Sequence, residues 1–264
     1  MKKKGILLLF IIFSILSIST FAFAAESTED VSSPEDFTYV ENSDGTVGIT
    51  EYHGTSLNVV IPDTYNGKNV TVVAQDTFSN KKDIESVVWS NNVDCVDGFM
   101  FENCINLKKV VLTPSVNNIY TGAFKNCTSL ADITIPEGLV SIYPQAFFKC
   151  TTLENIKFPN TLSEIKDNAF AGCWKLKAPD FGENLSYIGK EAFASCYEFI
   201  DVKLPDTVME ISDSAFLSCN QLKSINIPIE LEILGKGVFF NTRIDNIIIP
   251  ESCKYFTLKD NIIQ

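Results

Sequence analysis

Apolar residues in this chain recur with a period of 23, neither the 3.6 of an amphipathic helix nor the sustained alternation of a long strand. Phe78, Phe101, Phe124, Phe147, Phe170, Phe193, Phe216 and Phe239 keep that step without exception. Three residues after six of them come Cys104, Cys127, Cys150, Cys173, Cys196 and Cys219, and six after seven of them come Ile84, Leu107, Leu130, Leu153, Leu176, Phe199 and Leu222. Further columns hold Val87, Val110, Ile133, Ile156, Val202 and Ile225, then Trp89, Leu112, Ile135, Phe158, Phe181, Leu204 and Ile227. Leu139, Leu162 and Leu185, then Ile119, Ile142 and Ile165, then Ala123, Ala146 and Ala169 close the cycle.

These apolar positions are spread around the whole unit, and a 23-residue unit is too short to bury them alone. Stacked coils bury them, because each column becomes a ridge along a shared core. The pair in I-x-I-P predicts a short strand that Pro136, Pro159, Pro205 and Pro228 stop by removing a ladder donor. Across coils these strands are expected to pair in parallel at about 4.8 Å. The A-F-x-x-C-x-x-L portion predicts a short helical or 3₁₀ turn on the opposite wall. The expected fold is therefore an α/β-type repeat solenoid, with short parallel strands on one face and helical turns on the other.

Units such as Ile135–Phe158 and Leu204–Ile227 resemble the leucine-rich repeats of the BspA-like type, with their V-x-x-I-x-x-x-A-F-x-x-C-x-x-L-x-x-I-x-I-P frame. The resemblance spans roughly residues 37–256, with the regular repeats at 77–256. It implies a leucine-rich repeat fold and roles in adhesion to host or matrix proteins or to another cell surface.

The ends depart from the frame. Phe37 to Glu41 and Thr46 to Tyr52 flank Asp44-Gly45, a β-hairpin signal, so residues 37–76 are expected to form a hairpin cap and a first irregular coil. Five extra residues between Pro62 and Val70, including Tyr65-Asn66-Gly67-Lys68, predict a turn. At the far end Ile244 arrives one residue early, Cys253 and Phe256 are placed in core slots, and residues 257–264 offer only Ile262 and Ile263 as a poor cap.

Residues 1–24 carry a basic start at Lys2, Lys3 and Lys4, an apolar run from Ile6 to Ile18 and an Ala22-Phe23-Ala24 site, which reads as a bacterial secretion signal. Residues 25–36 are polar and acidic and are expected to be a disordered lead-in. The mature chain then has no membrane span, and its location is expected to be extracellular, secreted or at the cell surface. Loss of three Lys and no acid moves the formal charge from -12 to -15. Nucleic acid is excluded as a partner, since phosphate binding needs clustered Lys and Arg.

Chemistry-bearing motifs are scarce. His53, the only imidazole, lies at a turn, and no catalytic, metal or cofactor fingerprint is present, so no enzyme, metal or cofactor is expected. Six of the eight Cys share one column, which predicts buried free thiols, with pairing between some neighbours as the alternative. Cys95 falls in an outward column and is expected to be a lone exposed thiol.

The outward strand columns hold Lys109, Asp132, Asn155, Asp201 and Ser224, beside Thr134, Lys157, Asp180, Lys203 and Asn226. Their chemistry varies while the core repeats, which is the pattern of a recognition surface for a protein ligand. Trp174 and Tyr197 share one column on adjacent coils and are candidate aromatic anchors, or packing over the coil edge. The rival to a binding role is a structural spacer or surface-coat module without a specific ligand.

Overall fold

The structure is a computed structural model that describes residues 31–256 and, as backbone only, Leu258–Lys259 and Ile262–Ile263. The expected secretion signal at 1–24 and the first part of the lead-in lie outside the described residues. The rest is a stack of coils whose centre is the phenylalanine column. Successive rings from Phe78 to Phe239 lie at centroid distances of 5.2, 5.3, 5.1, 4.9, 5.4, 5.6 and 6.0 Å, all near parallel. Seven of these rings are fully buried and Phe239 is 5% exposed, so the spacing of the column is also the spacing of the coils. Burying one such ring contributes about 1.5–3 kcal/mol, and offset stacking adds about 0.5–1.5.

Each coil bonds to the next along three sides. The front side is the expected I-x-I strand, in which Asn58–Val60, Ser86–Val88, Lys109–Val111 and Asp132–Thr134 form a four-stranded parallel sheet. It does not run the whole length. Lys157 and Asp180 form an isolated bridge, and Asp201–Val202 pairs with Ser224–Ile225 as a separate parallel pair. One interruption is written in the sequence. Pro179 occupies the inward strand column, where residue N–H groups aim at the following coil, and it has none to give.

A second parallel sheet, not foreseen as strand, is the continuous one. Cys95–Val96, Asn118–Ile119, Ser141–Ile142, Glu164–Ile165, Tyr187–Ile188, Glu210–Ile211 and Ile233–Leu234 pair in unbroken order. Two residues per strand are below the length at which alternation can be recognised in one coil. Only stacking turns the V-x-x-I column into a sheet.

The third side corrects the expected helical turn. Among the described residues the only helical element is the 3₁₀ turn Pro34–Asp36, and the A-F-x-x-C segments are irregular turns. Two residues per turn have left-handed backbone. One set is Asp76, Phe99, Gly122, Gln145, Asn168, Glu191, Ser214 and Gly237; the other is Asn80, Asn103, Asn126, Lys149, Gly172, Ser195, Ser218 and Asn241. A left-handed residue every fourth position prevents a helical i→i−4 ladder and turns N–H groups outward to the neighbouring coil. Phe124 N–H thus donates to the Ala146 carbonyl at 2.7 Å, and Asn126 N–H to that of Phe148 at 2.8 Å. Coil stacking, not local propensity, holds these conformations. The α/β assignment gives way to an all-β solenoid.

The cysteine column does more than fill space. Each thiol donates to the carbonyl of the phenylalanine one coil back: Cys104 to Phe78 at 3.0 Å, Cys127 to Phe101, Cys150 to Phe124 and Cys173 to Phe147 at 3.1 Å, Cys219 to Phe193 at 3.2 Å and Cys196 to Phe170 at 3.5 Å. The same carbonyls accept an N–H of their own coil, as Phe124 does from Cys127 and Phe78 from Lys81, both at 3.1 Å. All eight thiols are free, and seven are buried. Cys95 is half-buried, which corrects its expected exposure. Burial, reinforced by Asp94 and Asp97, pushes its thiol up to about 12.

The N-terminal cap is the expected hairpin with an addition. Phe37–Glu41 pairs antiparallel with Val47–Tyr52, which pairs in parallel with Lys68–Val73 of the first coil. Phe37 and Tyr52 close the phenylalanine column, with centroids 6.5 and 5.3 Å from Phe78. Residues 31–36, assigned to the lead-in, lie on the fold: Val31 bridges Asn58, and the His53 N–H donates to the Asp36 carbonyl at 2.9 Å. At the far end Leu258–Lys259 pairs antiparallel with Ile262–Ile263. Cys253 is buried there, but Phe256 is exposed, outside the core slot assigned to it.

Two outcomes follow from this packing. Burial raises the thiols of Cys104, Cys127, Cys150, Cys173, Cys196 and Cys219 above the unperturbed value of about 8.5. The unfolded chain then loses protons that the folded one keeps, so their stabilising contribution is complete below about pH 8.5 and falls as pH rises, by up to about 1.4 kcal/mol per pH unit per thiol. Urea midpoints in reductant at pH 8, 9 and 10 will decline, and Cys150→Ala will flatten the decline while costing about 1–3 kcal/mol at pH 8. Lys149 breaks an amide ladder in which Asn103 donates to Asn80 at 3.0 Å and Asn126 to Asn103 at 2.8 Å. Lys149→Asn relieves left-handed strain and extends that ladder, and is expected to add about 0.5 kcal/mol by urea unfolding.

Candidate functional site

The front face is built by the strand period. In Asp132–Thr134 the middle residue Ile133 is buried and its neighbours are exposed, and the same alternation places Asn155 and Lys157 outward around Ile156. Asp180, Asp201, Lys203, Ser224 and Asn226 are exposed as well, and Lys109 is half-buried. The ten candidate residues therefore share one side of the stack, in two files along it. They are not chemically independent. Lys109 pairs with Asp132 at 3.2 Å, and Ser224 donates to the Asp201 carboxylate. Asn226 turns back on the backbone, accepting from Leu204 N–H and donating to the Leu204 carbonyl, both at 2.8 Å. Thr134, Asn155, Lys157 and Lys203 form no side-chain hydrogen bond or ion pair among the described residues, whereas the Asp180 carboxylate accepts from the Gly182 N–H at 3.3 Å; all five face solvent.

A groove of about 230 Å³ opens on this face between the coils at 133–137 and 157–159. It is lined by Ile133, Ile135, Phe158 and Pro159 together with Thr134, Glu137 and Lys157. Sequence columns identified Thr134 and Lys157 but not the groove or Glu137. Every coil carries equivalent residues, so the columns alone do not single this place out.

Trp174 is 49% exposed and lies 6.4 Å from the half-buried Tyr197, ring planes 20° apart. The pair sits beyond the Cys column, at the junction of the turn side and the front side, away from the strand files. A different aromatic group beside the continuous sheet also keeps the 23-residue step, at Tyr120, Tyr143 and Lys166, and the outward strand columns did not single it out. Tyr120 and Tyr143 lie 4.8 Å apart, and the Lys166 ammonium stands 5.6 Å from the Tyr187 ring centroid. Among the described residues no group of His, Cys, Asp and Glu has metal-binding geometry. No helix among them is long and apolar enough to cross a membrane.

Stacked 23-residue coils with parallel strands, a buried ladder and a variable outer strand face define a leucine-rich repeat solenoid. The chain belongs to the BspA type leucine-rich repeat family, whose repeat region matches residues 71–199 and 140–260 in six copies. It is similar to a leucine-rich repeat protein of Bacteroides ovatus, with TM-score 0.73 and 29% identity over 83% of this chain. The chain spans 58% of that protein's length. It is also similar to a leucine-rich repeat protein of T. pallidum, with TM-score 0.60 and 31% identity over 81% of this chain and 91% of that one. A leucine rich cell surface protein of Faecalibacterium prausnitzii shares the fold, with TM-score 0.52 and 23% identity over 87% of this chain and 79% of that one. No curated protein matches.

The two tryptophans report opposite environments, since Trp89 is 2% exposed. Iodide is expected to quench the Trp174 emission and leave that of Trp89, so Trp174→Phe will leave a fluorescence that iodide barely changes.

Proposed function

We propose that this chain is a non-catalytic, secreted or cell-surface protein-binding module of adhesion type, acting through the front strand face. The observation that carries the reading is the contrast on one strand. Ile133 and Ile156 continue columns that hardly vary, whereas Thr134, Lys157, Asp180 and Lys203 beside them are exposed and varied, and of these four only Asp180 has an internal side-chain bond among the described residues, from the Gly182 N–H. A stack needs the first set for folding and makes no demand on the second. The partner is a protein, of host, matrix or another cell, because a long, shallow and rigid face suits an extended macromolecular surface. Trp174 and Tyr197 would widen that surface at its edge. The secretion reading of residues 1–24 places the module outside the cell, and no bound cofactor takes part.

One observation favours a spacer or surface-coat role. The Lys109–Asp132 pair and the Asp201–Ser224 bond satisfy part of the face internally, as an idle solvated surface would. Alanine at Thr134, Lys157, Asp180 and Lys203 together separates the two. These side chains are exposed, so the melting temperature should move by less than a few degrees. Pull-down of host and bacterial surface proteins should fall at least tenfold relative to the unaltered chain. Undiminished capture by the folded variant would favour the spacer role.

A further inference from the structure

The continuous sheet has an outward face of its own, on a different side of the stack from the front strands. Val96, Ile119, Ile142 and Ile165 are fully buried, so the residues that follow them, Asp97, Tyr120, Tyr143 and Lys166, point outward, and all four are half-buried. The ladder holds this file in register. Tyr120 N–H donates to the Val96 carbonyl, Tyr143 N–H to that of Ile119 and Lys166 N–H to that of Ile142, each at 2.9 Å. Acid, tyrosine, tyrosine and lysine therefore follow one another at one-coil intervals, with the two tyrosine rings 4.8 Å apart.

The two ends of the file differ in charge. At one end the Lys166 ammonium is neutralised by the Glu164 carboxylate at 2.7 Å. At the other, Asp94 and Asp97 bracket the strand Cys95–Val96, and neither forms an ion pair among the described residues. Lys125, on the coil of Tyr120, is already taken by Glu102 at 2.9 Å. Asp97 accepts from the Gly98 N–H at 2.6 Å, which fixes its carboxylate without removing its charge. Both acids act on the adjacent ring: burial first, then Cys95, Tyr143, Asp94 and Asp97, push the Tyr120 hydroxyl above its usual range, so it stays a donor. The hydroxyls of Tyr120 and Tyr143 form no hydrogen bond among the described residues. Tyr143 stands on one side of the Tyr120 ring and the short Asp97 on the other.

We propose that this outward face, at Asp94, Asp97, Tyr120 and Tyr143, is a docking site for an arginine-bearing segment of a partner protein. Charge complementarity selects the occupant. A guanidinium is planar and always charged, so it stacks on the Tyr120 ring while its N–H donors reach the Asp97 carboxylate in the same file, and Asp94 adds to the attraction. The two free tyrosine hydroxyls are left to bond the segment's backbone. A second copy of this chain, with the same formal charge of -12, is repelled by an acidic face. The site is separate from the front strand face, and neither surface requires the other.

The test titrates the full chain, labelled with nitrogen-15, with a blocked pentapeptide of alternating glycine and arginine and with its lysine and glutamate counterparts. The arginine peptide should shift amide signals at 94–97, 118–120 and 141–143 and bind at least threefold more tightly than the lysine peptide, and the glutamate peptide should not bind. Asp94→Asn with Asp97→Asn keeps the side-chain shapes and the Gly98 bond, and should weaken the arginine peptide at least tenfold at an unchanged melting temperature. Tyr120→Leu should weaken it at least threefold, while Tyr120→Phe, which keeps the ring, should stay within about twofold. Alanine at Thr134, Lys157, Asp180 and Lys203 should leave its binding as it was. No shift at millimolar peptide, shifts spread evenly over every acidic face, equal affinity for the lysine peptide, or binding indifferent to the two asparagine substitutions would each overturn the proposal. Loss of binding on the four front-face alanines would place the peptide on the front strands and overturn it as well.

Discussion

A coil of 23 residues has no interior of its own, and everything in this molecule follows from that constraint. Apolar side chains of one coil are covered only by those of the coils above and below, so the identical step must be kept at every position that points inward. The phenylalanine file shows how strictly, since a ring spacing near 5 Å matches the spacing at which parallel backbones bond. A one-residue slip would move the ring out of file and break the bonds on all three sides together.

Polar satisfaction enforces the same register as apolar packing. Turn N–H groups, denied partners within their own coil by the left-handed residues, reach the next coil. The cysteine thiol supplies a second donor to a phenylalanine carbonyl that its own coil bonds only once. Cysteine suits this column because it is small enough for the core, apolar enough to be buried without a large desolvation cost, and still a donor. Side chains at other junctions repeat the device: the Thr207 hydroxyl bridges the carbonyls of Glu183 and Leu185, at 3.0 and 2.9 Å.

The proposed binding face lies where this enforcement is relaxed. Outward strand positions carry few obligations to the stack, and on the proposed reading Thr134, Lys157, Asp180 and Lys203 are available for recognition. The front sheet is also the side on which the inter-coil ladder is interrupted, and a groove opens there, while continuous pairing of the second sheet and stacking of the rings hold the coils in place.

The amino-acid order alone determined the repeat, its step, the inward columns, the front strands and the hairpin cap, because burial in a stack acts on side-chain type at fixed intervals. Pro179 even marked one interruption of the front sheet, had its missing donor been weighed. Only the tertiary structure decided the rest. The second sheet has strands of two residues, too short to show a period of their own. Turns around Phe124 and Phe147 look helical by composition, yet Gln145 and Lys149 adopt left-handed backbone that only neighbouring coils can impose. The groove between Thr134 and Lys157 opens between two coils whose residues the repeat makes nearly equivalent, so its place is decided by how those coils pack and not by the columns.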